Sequence, residues 1–178
     1  MAEEYVILVD QNDQEVGQME KMEAHRLGLL HRAFSILIFN ERGELLLQQR
    51  AAHKYHSPLL WTNTCCSHPR PQETVLEAAK RRLQEEMGMQ ANMKEVFHFL
   101  YEATLDQGLS EHELDHVLVG YTNENPLINP EEVHAFKWIA MDQLIQELEQ
   151  EPDSFTIWFQ ILLQQHLETI TKAANESM

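Results

Sequence analysis

The densest set of reactive side chains in this sequence lies between Trp61 and Pro69. The stretch reads WTNTCCSHP, so it holds both cysteines of the chain, Cys65 and Cys66, and a histidine follows the second one by two residues. A hydrophobic core does not need such a combination of groups. A thiol beside a metal ligand such as His68 is typical of a site where protons move under the control of a cation.

A carboxylate on the apolar face of a helix is the second chemical signal. The sequence predicts a helix over residues 73–87. At about 100° per residue, Glu86 falls within roughly 20° of the apolar stripe that Ala79 and Leu83 form. A buried carboxylate costs several kcal/mol unless it is paired or bound to a metal. Glu86 is therefore a candidate metal ligand, and the alternative is a salt bridge to Arg82, one turn earlier.

The residues around this helix resemble the Nudix box, in which helix carboxylates bind Mg²⁺ against a diphosphate. Ser67 is followed after five residues by Glu73 and, seven residues later, by Arg81 and the run RLQEEMGM, which ends at Met89. The Nudix box begins with Gly and has a Glu directly after the Arg, where this chain has Ser67 and Arg82. The change to Arg82 removes a metal-binding carboxylate, so the resemblance favours diphosphate binding over ordinary diphosphate hydrolysis.

Residues 112–116 read HELDH and match the zinc-protease pattern H-E-x-x-H. That pattern binds zinc only on a helix, whereas the β-branched and aromatic residues that follow at 117–121 favour a strand. On a strand the two histidines would lie roughly 13 Å apart, too far for one zinc ion. Glu111 and Glu113 would share the opposite face at about 7 Å. They could bracket one cation, and the alternative is a solvated edge.

Composition limits the class of protein. The chain has 178 residues, of which 43% are apolar and 24% charged, which fits a single compact domain over 1–178. Its formal charge of −16 argues against nucleic acid and anionic membranes as partners. We find no basic-then-apolar signal segment and no run of about 18 apolar residues. Adjacent cysteines do not form an ordinary disulfide, so we expect a reduced, cytoplasmic protein.

The elements that must position these residues follow from periodicity and turn signals. Strands are predicted at 5–9, 33–39, 45–47, 95–104, 116–121 and 135–139. Helices are predicted at 73–87, ended by Gly88, at 141–149 and, capped by Ser154, at 155–167. We expect order over about 5–167 and a frayed tail at 172–178. Strands in runs with helices between and after them indicate an α+β fold.

Five side chains together are candidate ligands for one cation. They are His25, His31, His68, Glu111 and Glu113. Imidazoles and carboxylates together suit a transition metal such as Zn²⁺ or Mn²⁺. Taken singly, each histidine is better explained as structural or solvated, so the set needs support from the rest of the chain.

The order of motifs along the chain supplies that support. They are Glu20-Lys21, His25, 31–35 (HRAFS), 47–50 (LQQR), 61–69 and Glu111-His112-Glu113. Together they closely resemble type I isopentenyl-diphosphate Δ-isomerase, from about residue 5 to residue 166. The resemblance implies a Nudix-like fold, an α/β/α layered mixed sheet, that leaves the diphosphate intact. It also fits the departures from the Nudix box at Ser67 and Arg82.

The resemblance implies a role for each candidate. The transition-metal site would be formed by His25, His31, His68, Glu111 and Glu113. Mg²⁺ would be held with the substrate diphosphate by Glu86 and the backbone carbonyl of Cys66. The diphosphate oxygens would be neutralised by Lys21, Arg50 and Lys54, although Lys54 taken alone fits a solvated surface charge better.

The implied reaction converts isopentenyl diphosphate to dimethylallyl diphosphate and back. The alkene is protonated to a tertiary carbocation, and a proton then leaves the neighbouring carbon, which needs an acid and a base on opposite faces. Glu113, hydrogen-bonded to Tyr101, would donate, and Cys66 would accept as a thiolate if its pKa is lowered. The two roles could be exchanged because the reaction is reversible. Trp158 would stabilise the cation, and the alternative is plain helix packing.

Two other functions stay open at this point: a Nudix-type diphosphate hydrolase and a metal-dependent binding protein without activity. Arg82 and the Cys66–Glu113 pair argue against the hydrolase, and a binding protein would not need Cys66. The expected partner is a small isoprenoid diphosphate, and the sequence predicts no oligomeric state. Cys65 is interpreted as a small core residue.

Overall fold

The computed structural model describes residues 3–176. Within that range, nine strands form one mixed sheet, accompanied by four α-helices. The strands are β1 (Tyr5–Val9), β2 (Glu15–Glu20), β3 (His31–Phe39), β4 (Glu44–Arg50), β5 (Trp61–Thr62), β6 (Cys65–Ser67), β7 (Asn92–Thr104), β8 (Ser110–Tyr121) and β9 (Val133–Ala140). The helices are α1 (Lys21–Leu27), α2 (Val75–Met87), α3 (Met141–Gln150) and α4 (Ile157–Glu176).

The centre of the sheet is the parallel pair of β3 and β8. His31 lies opposite Glu113 in this pair, and the register continues to Phe39 and Tyr121. Antiparallel pairs extend the sheet from this centre: β3 with β1 and β6, β8 with β7, and β4 with β5 and β9. The pairing therefore brings together, at the start of β3 and β8, residues that are far apart in the sequence.

Two hydrophobic layers cover the faces of the sheet. On one face, Leu83 of α2 packs in the same cluster as Ile36 of β3. On the other face, Phe159 and Leu162 of α4 pack in a cluster with Leu37. Successive residues of a strand point to opposite faces, so Ile36 packs in the layer with α2 and Leu37 packs in the layer with α4. The predicted α/β/α layering of the α+β fold is confirmed.

Helix α2 has clear signals at both ends. Thr74 Oγ1 accepts a hydrogen bond from the Glu77 amide at 3.2 Å, and Glu77 Oε2 accepts one from the Thr74 amide at 2.9 Å. This capping box satisfies two amides of the first turn. Gly88 ends the helix at φ 59°, and a Cβ there would lie 2.3 Å from the carbonyl oxygen of Leu127. The helix predicted at 73–87 is thus confirmed, with its first turn beginning at Val75.

The N-terminal half contains elements that the sequence prediction lacks, among them β2 and α1. Helix α1 ends at Gly28 with φ 67°, and Glu20 accepts hydrogen bonds from the amides of its first turn. The predicted strands at 33–39 and 45–47 pair with each other only at Phe39 and Leu45. Strand β4 instead pairs along its length with β9.

The last helix begins later than predicted. Ser154 does not cap it, because this residue lies in a short 3₁₀ turn at Pro152–Ser154 and α4 starts at Ile157. The amide of Thr156 donates to the carbonyl of Trp61 at 3.0 Å, which fixes the chain just before the helix. The predicted cap is therefore wrong.

The last helix also ends later than predicted. It continues to Glu176 past a kink at His166, where the backbone is non-helical (φ −132°, ψ 16°), and Ile170 and Ala174 are buried one turn apart. Within the tail predicted to be frayed at 172–178, residues 172–176 are helical and Ala174 packs in the hydrophobic cluster around α4; residues 177–178 lie outside the described range. Among residues 3–176, no helix has the length and apolar character to cross a bilayer.

Candidate active site

Three histidines and two glutamates converge where β3 and β8 begin. His25 lies on α1, His31 begins β3 and His68 follows β6. Glu111 and Glu113 lie two residues apart on the same face of β8. One nitrogen or oxygen atom from each of the five lies within 4.8 Å of all the others. The structure thus brings together the five side chains that the sequence predicts as ligands of one cation.

Backbone carbonyls fix the orientation of two of these rings. His25 Nδ1 lies 2.7 Å from the carbonyl oxygen of Lys21, and His31 Nδ1 lies 2.8 Å from that of Leu29. A carbonyl oxygen only accepts, so each Nδ1 carries the proton and a neutral ring has its lone pair on Nε2. Such a contact orients a histidine for binding a metal through Nε2.

These Nε2 atoms face carboxylate oxygens. His25 Nε2 lies 3.2 Å from Glu111 Oε2, and neither atom has a hydrogen-bond partner of normal geometry. His31 Nε2 and His68 Nε2 lie 3.1 and 2.6 Å from Glu113 Oε2. Buried lone pairs this close require a proton or a cation between them. The donor set of neutral imidazoles and carboxylates fits a divalent transition metal.

Burial and pairing set the ionisation of the cluster. Burial raises the pKa of Glu111 well above its usual value, and the charge of Glu113 adds to the effect. Burial acts in the same direction on Glu113, but His31 and His68 outweigh it and hold the pKa of Glu113 well below its usual value. Burial lowers the pKa of His68 to about 4. A neutral His68 and an ionised Glu113 are the forms that bind metals.

The lowered pKa of His68 predicts that the metal-free protein loses stability in mild acid. The pKa is about 4 in the folded protein against an ordinary 6.5, so between these values the unfolded chain binds more protons. Stability therefore falls as the pH drops through this window and is unaffected above it. From about pH 7 to pH 5, this histidine should cost roughly 2 kcal/mol of unfolding free energy.

Urea unfolding of the metal-free protein at the two pH values measures this loss. His68→Gln should remove the share of the pH dependence that belongs to His68, because glutamine does not titrate, while His56, whose pKa is lowered to about 2, keeps a similar share. His134→Gln is the matched control, since His134 is exposed. An unchanged pH dependence in His68→Gln would contradict the assignment.

Cys66 lies in the same pocket among neutral hydrogen-bonding groups. Its thiol donates to Asn63 Oδ1 at 2.9 Å and lies 3.7 Å from Ser35 Oγ, which in turn donates to Asp115 at 2.7 Å. Burial and then the charge of Asp115 raise the pKa of Cys66 to about 12, although Ser35 and Asn63 act in the opposite direction. The condition under which Cys66 would accept a proton as a thiolate, a lowered pKa, is not met in this structure, in which the thiol is the resting form.

Tyr101 holds the other oxygen of Glu113. The two residues are cross-strand partners of β7 and β8, and the Tyr101 hydroxyl donates to Glu113 Oε1. Burial and the charge of Glu113 raise the pKa of Tyr101 well above its usual value, so the phenol stays a donor. The contact expected between Tyr101 and Glu113 is present.

Positive side chains line the pocket next to the acidic cluster. They include the predicted diphosphate-binding residues Lys21, Arg50 and Lys54. Lys21 Nζ lies 3.1 Å from Glu4 and 5.3 Å from the ring centroid of Tyr55, and Lys54 forms an ion pair with Glu132. In a chain of strongly negative charge, this local group of cations suits a small anion such as a diphosphate.

Trp158 both packs on the core and faces the pocket. The indole is 6% exposed and belongs to the hydrophobic cluster around α4. The guanidinium carbon of Arg50 lies 5.2 Å from its ring centroid, and Arg50 also donates to the carbonyl of His56 at 3.1 Å. The indole packs in the core and its ring face also contacts the Arg50 cation, so the expected cation–π role and the packing alternative are compatible.

Glu86 is buried at the edge of the pocket, with 4% of its surface exposed. Arg82 Nη2 lies 2.7 Å from Glu86 Oε1, so the alternative salt bridge is formed. The other oxygen, Oε2, accepts from Gln48 Nε2 and from the Cys65 thiol, both at 3.0 Å. Cys65 therefore does more than fill the core, which the sequence did not predict.

Known proteins resemble this chain both in sequence and in fold. Residues 29–159 match the model of the NUDIX domain family. The isopentenyl-diphosphate Delta-isomerase of Pectobacterium atrosepticum is 53% identical over 156 residues, which are 88% of this chain and 87% of that protein. The chain belongs to the isopentenyl-diphosphate Delta-isomerase family. The protein of the same name from Serratia proteamaculans is 51% identical, with 88% of each chain covered.

Solved structures show the same fold as this isomerase-family chain. A structure from Deinococcus radiodurans has a TM-score of 0.70 at 20% identity and covers 83% of this chain and 90% of its own. The MutT protein of Methanosarcina mazei Go1 has a TM-score of 0.63 at 20% identity, covering 76% and 91%. At this identity the similarity confirms the predicted Nudix-like fold alone.

The H-E-x-x-H pattern lies on a strand in this member of the isomerase family. His112 Nδ1 lies 3.0 Å from the carbonyl oxygen of Gly28, and His116 pairs with Glu95. Both histidines point away from the face that carries Glu111, because residues of a strand alternate. The strand prediction is confirmed and the zinc-protease alternative is wrong.

Three polar residues of the site, Ser35, His56 and Asp115, were not among the predicted candidates. Asp115 follows Glu111 and Glu113 at the strand period of two, so alternation along β8 was a usable signal. His56 lies in the loop after β4, with Nε2 3.7 Å from Glu111 Oε1, and burial lowers its pKa to about 2. No local pattern marks a loop histidine as part of this isomerase-family site.

Proposed function

We propose that this protein interconverts isopentenyl diphosphate and dimethylallyl diphosphate, the reaction named for its relatives. The observation that carries the proposal is one pocket that joins three kinds of group. It is lined by the Cys66 thiol, by Glu113 of the histidine and glutamate cluster, and by cations suited to a diphosphate. A diphosphate hydrolase needs neither the thiol nor its pairing with a carboxylate.

Cys66 and Glu113 are the proposed proton-transfer pair. One group gives a proton to the terminal CH₂ carbon of the alkene, which leaves a tertiary carbocation. The other group takes a proton from the carbon on the diphosphate side, and the double bond forms there. The resting thiol and carboxylate support Cys66 as donor to isopentenyl diphosphate and Glu113 as acceptor. This direction is the reverse of the sequence prediction, and the roles exchange in the back reaction.

The remaining residues hold the substrate and its charge. Lys21, Arg50 and Lys54 are proposed to bind the diphosphate oxygens, which orients the alkene between the two proton-transfer groups. Tyr101 fixes the carboxylate of Glu113 by its hydrogen bond. Trp158 presents a ring face that stabilises positive charge and excludes water from the carbocation.

We assign two cations to the site. The cluster of three histidines and two glutamates supports Zn²⁺ or Mn²⁺, and Glu86 with the backbone carbonyl of Cys66 is proposed to hold Mg²⁺. When bound, these cations neutralise the diphosphate and keep the carboxylates ionised. We further propose that the protein acts in isoprenoid biosynthesis in the cytoplasm, which agrees with its two unpaired cysteines.

An exchange experiment in deuterated water tests the function. The purified protein is incubated with isopentenyl diphosphate, Mg²⁺ and Zn²⁺, and the products are followed by NMR. We expect dimethylallyl diphosphate with deuterium in a methyl group and no release of phosphate. A reaction without protein is the control. Phosphate release without exchange would establish a hydrolase instead, and no exchange under any metal loading would overturn the proposal.

A further inference from the structure

The two oxygens of Glu86 lie in different surroundings. Oε2 faces the protein interior and accepts from Gln48 Nε2 and the Cys65 thiol, each at 3.0 Å. Oε1 faces Arg82 Nη2 at 2.7 Å, on the side where Arg82 lines the pocket. Neutral donors therefore hold one oxygen, and a single charged side chain covers the other.

The interior donors are fixed by the sheet. Gln48 Nε2 also donates to the carbonyl oxygen of Thr64 at 2.8 Å, and the side chain of Gln48 is buried on β4. Cys65 is fully buried on β6, where it pairs with Ile36 of β3. Neither donor can follow a carboxylate that turns away, so the orientation of Glu86 is set by backbone pairing.

Arg82 differs from these donors because it has other partners. Its Nη1 lies 2.6 Å from Glu85 Oε2, and its Nη2 lies 3.4 Å from Glu132 Oε1. A cation that takes the place of the guanidinium at Glu86 Oε1 leaves Arg82 paired with these two carboxylates. Oε1 is thus the oxygen that can be exchanged from arginine to a metal ion.

We propose that Cys65 and Gln48 are positioning residues that hold Glu86 Oε2, so that Glu86 binds Mg²⁺ through Oε1 alone. The proposal rests on the proposed role of Glu86 as the Mg²⁺ ligand. Mg²⁺ demands near-octahedral geometry and takes one or two carboxylates together with phosphate oxygens. A carboxylate with one oxygen already engaged presents a single ligand in a fixed direction. Partners of this kind usually change metal affinity about 10- to 100-fold when removed.

Paired substitutions at Cys65 separate the hydrogen bond from packing. Cys65→Val keeps a small apolar side chain of similar size but has no donor, whereas Cys65→Ser keeps a donor of similar shape. The probe is inorganic pyrophosphate, titrated calorimetrically into the zinc-loaded protein with and without Mg²⁺. The quantity of interest is the gain in pyrophosphate affinity that Mg²⁺ provides, because this gain reports the cation at Glu86.

Cys65→Val should lower the gain about tenfold, and Cys65→Ser should leave it within about twofold of the parent. Gln48→Met removes the other donor to Glu86 and should lower the gain as Cys65→Val does. It replaces Cys65→Val in the test if the valine variant does not fold. Affinity for pyrophosphate without Mg²⁺ should stay the same in all variants. An unchanged gain in both donor-less variants would overturn the proposal, as would an equal loss in Cys65→Val and Cys65→Ser.

Failure of the positioning proposal for Cys65 and Gln48 can be distinguished from failure of the proposed function. The titration measures cation and pyrophosphate binding and needs no turnover. If the parent shows the Mg²⁺-dependent gain but no deuterium exchange, the isomerase proposal falls while the role of Cys65 is still decided by its variants. If the parent shows no gain at all, Glu86 does not hold Mg²⁺ with a diphosphate and the positioning proposal is overturned.

Discussion

Cys66→Ala should lower kcat for isopentenyl diphosphate by about a thousandfold or more. The isomerisation needs one group to give a proton to the alkene and another to take one from the neighbouring carbon. Alanine can do neither at the position where the thiol lies in the pocket. The remaining binding groups and Glu113 do not replace it, because a single group at the site cannot serve both faces of the substrate.

The variant separates chemistry from binding because alanine removes only the sulfur atom from a small side chain next to the hydrophobic cluster around α4. The residue is partly exposed, and its thiol contacts the side chains of Asn63 and Ser35. Zinc content and pyrophosphate affinity should therefore match the parent protein, while NMR in deuterated water shows no label. Cys66→Ser, which keeps the shape and a weaker proton donor, should retain more activity than alanine. More than about a tenth of parent kcat in Cys66→Ala would refute the role.

Much of the site could be predicted because its residues lie in short, dense motifs. The thiol at Cys66 and the ligand at His68 stand in one stretch of nine residues, and Glu111 and Glu113 follow the strand period. Helix α2 was equally predictable, since periodicity places Glu86 on the apolar stripe and Gly88 marks the end. Local rules of this kind need no knowledge of the fold.

The unpredicted features depend on pairing between distant segments. The contact of Cys65 with Glu86 exists only because β6 pairs with β3 and α2 packs against that edge. The thiol pKa of Cys66 could not be inferred either, because it depends on burial and on Asp115 from another strand. The end of α4 was missed because Ala174 is apolar within a polar tail, and its partners lie on the sheet.

Glu113→Gln should abolish turnover by at least about a thousandfold and also weaken the metal cluster. Glutamine has the same shape, and its amide oxygen can still accept from Tyr101. It has lost the negative charge that pairs with His31 and His68. It also lacks a group that takes up a proton near neutral pH, so the acceptor of the proposed pair is missing.

Two measurements distinguish the loss of the proton acceptor from the loss of the metal. Zinc content by atomic emission should fall in Glu113→Gln. When excess zinc restores the zinc content, kcat should stay low. Removing this charge should also bring the pKa of Glu111 down, since the charge of Glu113 raises it. Glu102→Gln is the matched control, because Glu102 lies on the exposed face of β7 next to Tyr101. If zinc alone restored parent activity to Glu113→Gln, Glu113 would be a metal ligand without a part in proton transfer.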